Sequence, residues 1–175
     1  MNSEFRIPNS ELQKLAFIAL GSNLGDSRQI ILAAQQRLQQ FSDAPILKSS
    51  LWQTTPVDCP PGSAKFVNAV AGLTPSPGET PESLLKKLRG LEQEFGRRPK
   101  KILNEPRPLD LDLIAFGQEI RSKPDLILPH PRAQLRRFVL QPLSEIAPAL
   151  VLPGWPKTVW QFLATLPDDE TVIRL

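Results

Sequence analysis

The chain has 175 residues, 41% of them hydrophobic and 22% charged, with a net charge of +3. That is the profile of an ordinary globular domain with one sizeable core, and the charge is too mild to mark a nucleic-acid binder by itself. The lone cysteine, Cys59, excludes an internal disulfide, and no apolar run approaches the ~20 residues of a membrane span.

Residues 1–15 are polar and carry no apolar signal core, so they read as a mobile leader to a single domain over 16–175. Ala16 to Leu20 is a short continuous apolar run, the mark of a strand buried on both faces. Gly21-Ser22-Asn23 ends it. Asp26 or Ser27 can cap a helix through Phe41, whose apolar stripe is Ile30, Ile31, Ala34, Leu38 and Phe41. Ile46 to Thr54 reads as a second strand, and residues 55–64, with Pro56, Pro60, Pro61 and Gly62, as a loop. Phe66 to Leu73 is a third strand. Thr80 caps a second helix, with Pro81 at its first position and Gly96 past its end; Leu84, Leu88, Leu91 and Phe95 form its stripe. Residues 97–108 form a basic loop containing prolines. Leu109 to Phe116 is a fourth strand. Beyond it, 132–146 and 158–166 read as helices and 172–175 as a last strand.

Strand, helix, strand, strand, helix, strand is the ferredoxin-like α+β order, an antiparallel βαββαβ sheet with helices on one face, here with additional C-terminal elements. The other face is expected to be open. Leu109, Leu111 and Leu113 alternate with Asp110 and Asp112, which puts both aspartates on one face of the fourth strand, roughly 6–7 Å apart. Aspartate is a poor strand residue, so the pair needs a reason. It is either incidental charge on a solvated face or a site for a hard divalent cation, which takes one or two carboxylates and completes its shell with phosphate oxygens. Three loops border this face, the first over Thr54 to Gly62. One carries Arg97, Arg98, Lys100, Lys101 and Arg107; another carries Arg132, Arg136 and Arg137. Two carboxylates within a ring of arginines suit a metal together with a polyphosphate. A nucleic-acid surface would use the cations and has no need of the aspartates.

Other chemistries lack their signatures. No G-x-x-x-x-G-K-[ST] is present, one histidine and one cysteine make a poor zinc site, and no G-x-S-x-G elbow accompanies His130. There is no tyrosine and no run of aromatic residues for stacking RNA bases.

Three motifs then occur in order: Ala19 to Asp26, the Pro106-Arg107-Pro108-Leu109-Asp110-Leu111-Asp112-Leu113 run, and Pro129-His130-Pro131-Arg132 followed by Arg136, Phe138-Val139-Leu140, Pro142-Leu143 and Glu145-Ile146-Ala147-Pro148. Together, over residues 16–150, they resemble the 6-hydroxymethyl-7,8-dihydropterin pyrophosphokinases of folate biosynthesis. The resemblance implies transfer of a diphosphate from ATP to a reduced pterin, release of AMP, and two Mg²⁺ ions. It places the metals on Asp110 and Asp112, catalysis on Arg97 and Arg107, and ATP on Arg97, Arg107, His130 and Arg136. It places the pterin on Thr54, Val57, Phe66, Asn68 and Phe138, with Glu92, Lys100 and Asn104 nearby. A small-molecule enzyme of the cytoplasm is expected, a monomer with no membrane or nucleic-acid partner. The chain departs from the family's usual basic residue at 103, its Gly or Ala at 105 and the tryptophan some relatives have at 104: here stand Leu103, Glu105 and Asn104. Residues 97–107 are expected to form a lid.

Each residue also has a plainer reading. Phe66 and Phe138 could be core, His130 an ordinary loop histidine, Asn68 a bridge to backbone, and Glu92 a surface charge; Arg98, Lys100 and Lys101 could be a solvated loop. A basic RNA-binding module and a Mg-dependent nucleotide transferase with another acceptor are the rival functions. Cys59 is assigned no role.

Overall fold

The structure is a computed structural model and describes residues 7–175. Its elements are α1 (Asn9–Leu12), β1 (Ala16–Ser22), α2 (Ser27–Leu38), β2 (Leu47–Lys48), β3 (Trp52–Thr54), β4 (Phe66–Leu73) and α3 (Pro81–Glu94). They continue with β5 (Asp110–Phe116), β6 (Arg121–Lys123), β7 (Leu126–Leu128), α4 (Arg137–Ile146), α5 (Val159–Thr165) and β8 (Val172–Arg174). The main sheet runs β5-β1-β4-β3-β8, with β2 also on β4, and its pairings are antiparallel. This is the expected ferredoxin-like arrangement.

The helices start where the sequence provides caps. The Asp26 carboxylate accepts the Gln29 amide at 3.2 Å, and Thr80 and Ser83 form a reciprocal capping box ahead of Pro81. Gly96, just past α3, takes the left-handed conformation (φ 92°). α2 and α3 cover one sheet face, where Ile18 and Leu20 of β1 meet Ile31, Leu38, Leu84, Leu88 and Leu111.

The second face is not open along its length. Val139, Leu140 and Leu143 of α4 and Val159 and Leu163 of α5 pack there against Phe17, Val70, Ile114 and Ala115. The sheet is therefore sandwiched at one end and free only at the end that holds Asp110 and Asp112. The expected strand over 46–54 is two short strands. Between them the Ser49 hydroxyl, not a carbonyl, accepts the Val70 amide at 2.9 Å, so a side chain replaces one rung of the ladder. The β6–β7 hairpin was not among the expected elements. Of the expected leader, residues 1–6 lie outside the described residues; 9–12 form a helical turn with Leu12 buried, so packed structure begins ahead of residue 16.

The register of β5 on β1 shifts by one between Leu113 and Ala115, leaving Ile114 as a β-bulge. The Ile114 carbonyl instead accepts the His130 amide at 2.8 Å, which brings the 129–137 segment to the site.

α4 is tied to the β3 region by Glu145, whose carboxylate accepts the Ser50 amide at 3.0 Å, the Ser50 hydroxyl at 2.6 Å and the Trp52 indole N–H at 3.1 Å. Glu145→Ala leaves these donors without their acceptor and is expected to lower stability by about 1.5–3 kcal/mol in urea denaturation. A change below about 0.5 kcal/mol would show that water replaces the carboxylate.

Candidate active site

At the uncovered end of the sheet, β1 supplies a floor of small residues. Gly21 lies between Asn68 of β4 and Asp110 of β5, and Ala19 lies opposite Asp112. A Cβ at Gly21 would meet the Asn68 Oδ1 at 3.0 Å, so glycine gives that amide room to lie across the strand. The resulting cleft is lined by ten of the expected site residues: Thr54, Val57, Phe66, Asn68, Asn104, Arg107, Asp110, Asp112, Arg136 and Phe138. Arg132, Asp58 and Cys59 line it too. Arg97 and Lys100 line an adjoining basic cleft, and Arg107 borders both. His130 and Glu92 line neither.

One end of the cleft is amide and aromatic. Thr54 and Asn68 are buried, and the Asn68 amide donates to the Thr54 hydroxyl at 2.5 Å. Asn68 thus bonds a side chain and not backbone. Phe66 and Phe138 are only partly buried, and each carries a guanidinium: Arg107 lies 5.5 Å from the centre of the Phe66 ring and Arg136 5.4 Å from that of Phe138. Phe138 also packs on the second core cluster, so its plainer reading holds in part.

The other end is ionic. Arg97 bonds both Asp110 and Glu92, the latter at 2.7 Å, and Arg107 Nε lies 3.4 Å from Asp110 Oδ2. Glu92 is 2% exposed, which overturns its reading as a surface charge. It sits four residues after Leu88 on the buried stripe of α3, and its carboxylate also accepts the Leu111 amide of β5 at 2.8 Å. Burial pushes the Glu92 carboxyl above its usual range despite these partners.

The two aspartates titrate in opposite directions. Burial pushes Asp110 up, but the Arg107 and Arg97 guanidiniums outweigh it and hold the carboxyl below the ordinary value. Asp112 has no ion pair among the described residues; burial, then the neighbouring Asp110, push it up to about 6. His130 is lowered to about 4 by burial and by Arg136 and Arg132, so it is neutral at physiological pH. Its Nδ1 accepts the Arg132 amide at 3.2 Å, which leaves the proton on Nε2.

The basic loop is joined to the 55–64 loop at one point, where Asn104 Nδ2 donates to the Asp58 carbonyl at 2.6 Å. Both residues are in the left-handed region, with φ of 55° and 51°. Leu103 beside it is 78% exposed.

Residues 17–148 match the family described as 7,8-dihydro-6-hydroxymethylpterin-pyrophosphokinase. The chain is 38% identical over 170 residues to the folic acid synthesis protein fol1 of Pneumocystis carinii, an alignment covering 97% of this chain and 22% of that protein. It is 38% identical over 138 residues to a 2-amino-4-hydroxy-6-hydroxymethyldihydropteridine pyrophosphokinase of Pseudomonas aeruginosa, covering 78% of this chain and 83% of the relative. The enzyme of the same description from Bacillus subtilis is 37% identical over 136 residues, covering 77% and 79%. Among solved structures, an HPPK-DHPS in complex with substrates superposes at a TM-score of 0.66 and 13% identity over 86% of this chain and 43% of that chain. The wild-type Plasmodium falciparum HPPK-DHPS with pteroate also gives 0.66, over 86% and 42% at 13% identity. The chain thus spans about a fifth of the fol1 protein and under half of the HPPK-DHPS chains. These structural likenesses bear on the fold alone.

The raised Asp112 pKa predicts a pH dependence of stability in the cation-free protein. An acid with a folded pKa above its unfolded value stabilises fully below the unfolded value, near 3.8, and loses that contribution as pH rises through about 6. Asp112→Asn removes the loss. The variant is expected to melt higher than the parent at pH 7.5 by the equivalent of about 1–2 kcal/mol, after discounting for solvent screening. At pH 4 the two should coincide. Equal melting at both pH values would show that Asp112 is not held against Asp110.

Proposed function

The chain belongs to the 7,8-dihydro-6-hydroxymethylpterin-pyrophosphokinase family, and we propose that it transfers the diphosphate of ATP to the hydroxymethyl group of 6-hydroxymethyl-7,8-dihydropterin, releasing AMP, as a step of folate synthesis. The observation that carries this reading is the joining, in one cleft, of a carboxylate pair among arginines with an amide and two aromatic rings. The first half suits a polyphosphate; the second suits a flat heterocycle with hydrogen-bonding edges.

Asp110 and Asp112 would hold Mg²⁺. The fit is chemical: among the described residues no group of three or more metal-ligating side chains occurs, but two carboxylates are what Mg²⁺ takes when phosphate and water complete its shell. Asp112 is a buried acid whose strongest charged neighbour is a like one, so a cation is what it lacks. Bound there, the metal supplies neutralisation of phosphate charge and a lowered pKa for the attacking hydroxyl.

The chain's own residues do the rest by alignment and charge. Asn68 and Thr54 present an amide and a hydroxyl to the pterin edge, Phe66 and Phe138 flank its faces, and Val57 closes the rim. The pterin hydroxyl attacks the β-phosphorus in line and AMP leaves. In the free protein Arg97 and Arg107 neutralise Asp110. With a cation on Asp110, both guanidiniums would be free to hold the α- and β-phosphates, where charge develops. Glu92 keeps Arg97 within reach. Arg136 donates to phosphate from the cleft wall; His130 lines neither cleft, and the resemblance alone gives its neutral Nε2–H a phosphate to meet. Lys100 adds cation to the lid, and Asn104 latches it to Asp58 across the cleft mouth. No side chain has to act as a nucleophile. Every group named comes from one chain, which suits a monomer, and ATP with a lone thiol suits the cytoplasm.

The test is AMP formation from ATP with reduced hydroxymethylpterin and Mg²⁺; its absence, with the protein folded, overturns the reading. Asp110→Asn or Asp112→Asn should lower turnover by roughly a thousandfold or more, since several kcal/mol of charge stabilisation are lost. Activity near that of the parent in either variant would sink the metal assignment.

Phe138→Ala should weaken pterin binding by about 1–3 kcal/mol in calorimetry while ATP affinity holds. Equal losses for both ligands would return Phe138 to a purely core role.

A further inference from the structure

Asn23 is 4% exposed and has no part in the chemistry above. Its Oδ1 accepts the backbone N–H of Arg107 at 2.9 Å, and its own N–H donates to the Arg107 carbonyl at 3.1 Å. Residues 84 apart in sequence are thereby joined by two bonds, as a rung of an antiparallel ladder would be, except that a side-chain carbonyl supplies one acceptor. Arg107 stands between Pro106 and Pro108, and proline has no amide proton. The Arg107 N–H is thus the one backbone donor in this tripeptide, and Asn23 takes it.

This anchor determines where a cation sits. The Arg107 guanidinium lies against Asp110 and over Phe66, between the ionic and aromatic ends of the cleft. The basic loop ends here, so a displaced backbone at 107 would move the guanidinium directly. Among the described residues the buried Asn23 Nδ2 has no partner. Asn23 uses only its acceptor, and uses it on Arg107.

We propose that Asn23 is a positioning residue for the transfer: it fixes the backbone of Arg107 so that the guanidinium meets the transferred phosphate. This rests on the reading of Arg107 as a phosphate-holding group. The test uses the full chain with Asn23→Ala, Asn23→Asp, Arg107→Ala and the Asn23→Ala/Arg107→Ala double variant, each assayed for kcat and for the KM of both substrates. Asn23→Ala is expected to lower kcat by about 10- to 100-fold, with the pterin KM changed less than ~3-fold, because misplacement near 1 Å has effects of that order. Asn23→Asp keeps the acceptor and should recover most of the loss. In the double variant the Asn23 change should add nothing to the Arg107→Ala loss, as for two residues acting through one group. A kcat for Asn23→Ala within ~2-fold of the parent, multiplying losses in the double variant, or an Asn23→Asp no better than Asn23→Ala would each overturn the proposal. Full activity in Arg107→Ala would instead overturn the underlying role of Arg107. If Asn23→Ala fails to fold, Asn23→Gln, which displaces the acceptor by one methylene, takes its place with the same outcomes.

Discussion

Three carboxylates, Glu92, Asp110 and Asp112, are withdrawn from bulk water at the meeting of α3 and β5, and their charge has to be answered within the fold. Arg97 answers two of them at once, which explains its place at the junction of α3 and the basic loop. Glu92 in turn takes a backbone amide of β5, so helix, strand and loop are held by one carboxylate. The balance is incomplete. Asp110 is oversupplied with cation, and among the described residues Asp112 has none paired to it. A ligand bringing both phosphate and divalent cation corrects both ends of that imbalance, which gives the free protein an electrostatic reason to bind it.

The two halves of the cleft share their parts. Arg107 touches Asp110 on one side and the Phe66 ring on the other, and Arg136 covers Phe138 while adding positive potential near His130. On the proposed function, a guanidinium on each ring makes the heterocycle-binding end and the phosphate-binding end adjust the same side chains. The polar wall opposite is set by strand register: Gly21, Asn68 and Asp110 stand in one row across three strands, with no side chain on the middle one.

Much of the fold was legible because its signals are local. Apolar spacing marks α2 and α3, Thr80 and Pro81 mark a helix start, and the leucine–aspartate alternation sets the faces of β5. What escaped depends on distant partners. Periodicity shows that α4 has an apolar face but not which side of the sheet receives it, so it does not reveal the sandwiched end. The break between β2 and β3 comes from the Ser49 hydroxyl meeting Val70, a tertiary event. Three-residue strands such as β6 and β7 are too short to alternate visibly. In the site, the aspartates declare themselves through their spacing, whereas the roles of Thr54, Val57, Phe66, Asn68 and Phe138 follow from family resemblance and not from pattern. Glu92 carried a usable signal, its helical spacing from Leu88, that its charge obscured. Asn23 stands inside the Ala19–Asp26 motif, but its partner, 84 residues away, is not legible there.

The bulge at Ile114 lets β5 belong to two environments. Ahead of it, Asp110 and Asp112 face the cleft; after it, Ala115 joins Ile114 under α4 and α5. A strand without the extra residue would have to choose between them: keeping the aspartates in place would turn Ala115 toward α2 and α3, and keeping Ala115 would send the acids into the leucine core. Length in this stretch is therefore more constrained than identity. Ile114 should tolerate exchange for another apolar residue, while relatives aligned through it should show neither a gap nor an insertion between the second aspartate and the end of the strand.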